Sequence, residues 1–190
     1  MKKLMTFLLA AVLLIGAAPV TQAQGNRALT SKEADKLLQR IVGSWQVNQY
    51  DSERGKLVET KGTASFSRDS KDNYVHEQLE LLQPDGSVIQ GDGFIRYSEE
   101  QNQFELVQLD KNGKSIVLML GKWLPKYNTL AFTPVKGEEQ WSSKIDPSMH
   151  CLYIFKHDGT FMKINRTIDK NGNLTATSQY HFSLPGVAKL

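Results

Sequence analysis

The sequence predicts an all-β protein: an antiparallel up-and-down β-barrel of about eight to ten strands, with one short N-terminal helix closing an end. Three observations carry this reading. Segments of strand length, with apolar and polar residues alternating, recur along most of the chain. They are separated by clusters such as Asp85-Gly86, Asp158-Gly159 and Lys170-Asn171-Gly172, which supply the residues that hairpin turns need. No pattern of helical period lies between strands, so there are no crossovers of the kind a parallel sheet requires.

Residues 1–23 read as a cleavable signal peptide. Lys2 and Lys3 precede the apolar run 4–18, and Thr21-Gln22-Ala23 offers small residues where a signal peptidase cuts. No cysteine stands at the cleavage site after that run, so a lipid anchor is not expected. Residues 24–190 then form a single domain without a transmembrane segment, in the periplasm or outside the cell. Removing Lys2 and Lys3 from a balance of 23 basic and 20 acidic residues leaves a net charge of +1. There is no basic stripe interleaved with aromatics, so nucleic acid is not an expected partner. Cys151 is the single cysteine. No internal disulfide can form, and its simplest role is a small buried apolar residue.

Thr30-Ser31-Lys32-Glu33 has the form of a capping box, with Leu29 placed to staple onto Ala34. The helix it opens should end near Gln39 and lie across the base of the barrel. Gly43-Ser44-Trp45 opens the first strand, with Ile41, Gly43, Trp45 and Val47 on one face. Trp45 suits a plug at the bottom. Alternation then marks strands at Gly62–Phe66, Val75–Leu81, Phe94–Arg96 and Phe104–Leu109. Gly91-Asp92-Gly93 suggests a bulge or sharp bend. Ser115–Leu120 is apolar on both faces. Asn128–Thr133, His150–Lys156, Thr160–Ile168 and Leu174–Phe182 complete the set. An open two-sheet sandwich is the structural alternative. Pro134–Ser148 lacks alternation and carries Trp141, as a lid or a loop anchored to the wall would. The stretches 78–87 and 151–160 echo one another, as a duplicated half-barrel would or, more simply, two unrelated hairpins with Asp-Gly turns.

The pairing of Gly43-Ser44-Trp45 after a short helix with the late run Ile154-Phe155-Lys156-His157-Asp158-Gly159-Thr160-Phe161 resembles lipocalin-like (calycin-type) β-barrel domains of exported bacterial proteins. The resemblance covers about Ile41 to Phe182. It implies a cup for a small apolar ligand. It also implies a late-strand arginine stacked over the first-strand tryptophan, for which Arg166 is the candidate. Such a stack contributes about 0.5–2 kcal/mol.

Little in the chain carries catalysis. There is no Gly-x-Ser-x-Gly, no His-Glu-x-x-His and no phosphate loop. His76, His150, His157 and His181 have no zinc-ligand spacing, and His181 should face solvent if Tyr180 and Phe182 face inward. No metal or cofactor is therefore expected, haem included. Tyr74, His76, Gln78 and Glu80 share one face of a strand. If that face were interior, His76 and Glu80 could form an acid–base pair. With Val75, Leu79 and Leu81 inside, the set is wet instead.

The expected function is binding of a small, mainly hydrophobic ligand, by a wall built from Trp45, Phe66, Phe94, Trp123, Tyr153 and Phe155. Arg96 or Arg166 would fix a polar head. A packed barrel acting as an envelope scaffold is the alternative, meeting a protein or glycan partner through loops carrying Trp141 and Tyr127. An enzyme using His76 and Glu80 is a third.

Overall fold

The structure is a computed structural model that describes residues 28–53, 56–68, 73–109, 112–135 and 148–186. Helix α1 (Ser31–Gln39) precedes ten strands: β1 (Gly43–Glu53), β2 (Lys56–Arg68), β3 (Val75–Leu82), β4 (Val88–Ser98), β5 (Gln103–Leu109), β6 (Ser115–Leu124), β7 (Thr129–Pro134), β8 (His150–Phe155), β9 (Phe161–Ile168) and β10 (Leu174–Ser183). Each strand pairs antiparallel with the next, and β1 pairs with β10, closing the barrel. Closure removes the open edges that a sandwich would present. The architecture fits the lipocalin-like barrel that the sequence predicts.

The helix begins as its capping box dictates. Thr30 accepts from the Glu33 amide at 3.3 Å, while Glu33 Oε2 accepts from the Thr30 amide at 2.9 Å. Ala34 and Leu38 are its buried residues. Ile41 follows at once, and its carbonyl accepts from Trp45 Nε1 at 2.8 Å, so the helix end and the first strand share one buried bond.

The Asp-Gly turns share one chemistry. Asp85 Oδ1 accepts from Ser87 N and Oγ, and Asp158 Oδ1 accepts from Thr160 N and Oγ. Gly86 and Gly159 both take φ +83°, where a side chain would be strained. The hairpins β3–β4 and β8–β9 turn at opposite ends of an up-and-down barrel, so the sequence echo reflects local turn requirements.

Gly91 and Gly93 do not form a bulge against β3. β3 and β4 stay in unbroken register, with Leu79 opposite Gly91 and Glu77 opposite Gly93. The register shifts lie elsewhere, at Leu106/Val107 against β6 and at Ala176/Ser178 in β10. Residues 136–147, with the expected lid and Trp141, lie outside the described residues, as does the expected signal peptide.

The core runs along the inward positions. Trp45 meets Phe161 edge-on at 4.9 Å between ring centres, and Phe161 stacks on Phe182 at 4.2 Å. Phe66 packs edge-on against both Phe161 and Phe182. These rings, with Phe155, Phe132, Leu130 and Ile41, form an aromatic layer beneath the helix.

Candidate functional site

Above the aromatic layer the inward positions turn polar. Cross-strand register sets Thr60, Gln49, Tyr180, Lys163 and Tyr153 side by side on β2, β1, β10, β9 and β8. A second row runs Val58, Asp51, Ser178, Asn165 and Cys151 on the same five strands. Within them, Gln49 Nε2 donates to Asp51 Oδ2 at 2.6 Å and Asn165 Nδ2 donates to Ser178 Oγ at 3.1 Å.

Glu77 faces these rows from β3. Lys163 Nζ donates to its two oxygens at 2.7 and 2.8 Å, and the Tyr153 hydroxyl donates to Oε2 at 2.8 Å. The Glu77 side chain is 6% exposed and that of Lys163 17%, so the cation keeps some access that the carboxylate lacks. Burial pushes the Tyr153 phenol well above its ordinary value, and the Glu77 charge adds to the rise. Burial alone would lower Lys163, but the Glu77 charge and hydrogen bond outweigh it and raise the ammonium. Lys163 is therefore a fixed cation at neutral pH, and not a nucleophilic amine. Burial also raises Tyr180, against lowering contributions from Ser178 and Lys163, and pushes the Cys151 thiol up to about 12. That thiol is inert.

The wall beside Glu77 is open. A Cβ built on Gly93, its register partner, would meet no atom within 4 Å. Leu79, Leu81, Leu106 and Leu118 supply apolar surface on the β3–β6 side.

The structure brings together only part of the expected site. Trp45, Phe66, Tyr153 and Phe155 are buried in the interior, and half-buried Trp123 lies 5.9 Å from Phe155. Phe94 and Arg96 do not line it. Val75 and Ile95 take the inward phase, which leaves Phe94 and Arg96 on the outer face. There Phe94 stacks on His76 at 4.4 Å, and Arg96 Nε donates to Glu105 Oε2 at 2.6 Å.

Arg166 is not stacked over Trp45 either. Lys163 and Asn165 take the inward phase of β9, so Arg166 points outward between His150 and Ala176. Among the described residues, the arginine that lies over an aromatic ring at the base is Arg40, just after α1. Its guanidinium lies 4.2 Å from the Phe155 ring centre, and Nη1 donates to Asn128 Oδ1 at 2.9 Å.

His76, Gln78 and Glu80 alternate with buried Val75, Glu77, Leu79 and Leu81 and face outward, His76 against Asp92 and Glu80 with Gln90. The acid–base pair imagined for His76 and Glu80 thus has no interior pocket. His181 points out beside Tyr50. Tyr127, in a 3-10 turn (Pro125–Tyr127), is 64% exposed. Among the described residues no group of three or more His, Cys, Asp or Glu side chains could hold a metal ion, and no helix is long and apolar enough to cross a membrane.

Glu77, Lys163, Tyr180 and Asp51 were not singled out from the sequence. The available signal was parity: Glu77 sits in phase between Val75 and Leu79, and Lys163 two residues after Phe161.

A scan against protein-family profiles finds no match for this chain, and a search of curated proteins finds none.

Proposed function

We propose that this protein is an exported binding barrel that holds a small, mainly hydrophobic molecule with one polar end, in the periplasm or outside the cell. The observation that carries the reading is the buried Glu77–Lys163–Tyr153 group set among two inward polar rows. A barrel filled for stability alone gains little from such a group, because desolvating both charges offsets most of their attraction and apolar residues of equal size would serve as well. Placed beside the open wall at Gly93 and the leucines of β3–β6, the polar interior that this group belongs to takes the polar end of a guest while the leucines cover its apolar body.

Native mass spectrometry of the mature protein purified from its own cells tests this. A non-covalent mass seen in the native spectrum and lost on denaturation is the expected result. A bare chain that also fails to take up any member of a panel of uncharged apolar probes would overturn it.

A further inference from the structure

Resting on the binding reading above, we infer that the interior site takes a cationic head, a protonated or quaternary amine on an apolar body, in preference to an anionic one. Among the described residues, the charges in and facing the two polar rows are Glu77, Asp51 and Lys163: two carboxylates and one ammonium. Lys163 is committed to Glu77, bonded to both of its oxygens with Tyr153 as a further donor to Oε2, so that pair is neutral as a unit. Asp51 is what remains. It faces the interior beside Gln49, whose amide donates to Oδ2 at 2.6 Å, and opposite Ser178. Both are neutral partners, and among the described residues no ion pair involves Asp51.

An incoming ammonium brings the local sum from −1 to zero, whereas an incoming carboxylate takes it to −2 in a setting where charges are weakly screened. Recruiting Lys163 for an anion would leave Glu77 buried without its cation. The aromatic faces agree with the sign. Lys163 already lies 5.4 Å from the Tyr153 ring centre and 5.9 Å from that of Tyr180, so this corner presents π faces suited to a cation. Tyr180 stands next to Gln49 across the β1–β10 seam, within the field of Asp51.

The test is a competition among decyltrimethylammonium, decanoate and decanol, each below its micelle concentration, against an uncharged naphthalene fluorophore bound to the mature protein at neutral pH. The cation is expected to displace the fluorophore at a concentration about tenfold lower than the carboxylate. Asp51→Asn should narrow that gap, and Asp51→Lys should reverse it. The wild-type comparison stands whether or not either variant folds. A carboxylate that competes as well as the cation overturns the charge assignment and leaves the binding reading in place. If the fluorophore itself does not bind, both fall together.

Discussion

Replacing Lys163 with Met removes the cation from Glu77 while nearly preserving side-chain length. Glu77 keeps only the Tyr153 hydroxyl as a donor to Oε2, and its side chain is 6% exposed, so water has little room to replace two bonds of 2.7 and 2.8 Å. Orphaning one member of a buried pair costs about 3–5 kcal/mol. The 17% exposure of Lys163 and the surviving tyrosine bond place this case near the lower end, at about 3 kcal/mol. For a domain of this size that is a fall in Tm of about 6–12 °C. The double variant Glu77→Gln/Lys163→Met should recover most of the loss, since the introduced amide still accepts from Tyr153 and carries no charge. Urea unfolding of the two single variants and the double variant closes the cycle. A Lys163→Met cost below about 1 kcal/mol, or a double variant no better than the sum of its parts, would refute the pairing on which the site is built.

The two glycines next to the interior should behave in opposite ways. Gly62→Ala places a Cβ 1.9 Å from the Glu80 carbonyl oxygen and should cost about 3 kcal/mol or more, whereas Gly93→Ala meets nothing within 4 Å and should be neutral or gain about 0.5 kcal/mol, both read by thermal melting. Alkali should weaken the fold steeply. Cys151, Tyr153, Tyr180 and Lys163 all hold their protons more tightly folded than unfolded, so each adds stability that is complete below its ordinary value (9.0 for the thiol, 10.0 for the phenols, 10.5 for the ammonium) and lost as pH climbs through the raised one. Tm should hold to about pH 9 and drop beyond it, and a level Tm through about pH 11 would contradict this. At the base, Arg40→Ala should cost about 1–2 kcal/mol through the lost Phe155 and Asn128 contacts, while Arg166→Ala stays within about 0.5 kcal/mol. Equal effects would count against Arg40 as the arginine of the base.

Much of the architecture was legible because its signals are local. The Thr30–Glu33 box, the alternation of Val75, Leu79 and Leu81, and the Asp-Gly turns each involve residues a few positions apart, and each appears where the pattern puts it. The candidate site was not legible for the converse reason. Glu77 meets Tyr153 and Lys163 across the barrel, partners that no spacing along the chain connects. Parity alone marked them, and an isolated Glu or Lys on an apolar face reads as an interruption until the opposite wall is known. Arg166 failed by parity too: one position separates it from inward Asn165, and a single step in a strand exchanges interior for exterior. Gly91-Asp92-Gly93 misled through composition, since Gly91 packs against Leu79, Gly93 leaves space inside the barrel, and neither makes a bulge against β3.

The β1–β10 seam also governs the order of folding. Hairpins β1–β2, β3–β4 and β8–β9 can form from neighbouring residues as soon as they are synthesised, but Gln46–Asp51 must wait for Ser178–Ser183 in β10, the last of the described strands. That contact has the largest loop to close and brings the final enclosure of Glu77, Lys163 and Asp51 with it. A chain cut before Leu174 would keep nine of the described strands and expose both β1 and β9 as bare edges, so it should associate with its own kind through them more than the whole chain does.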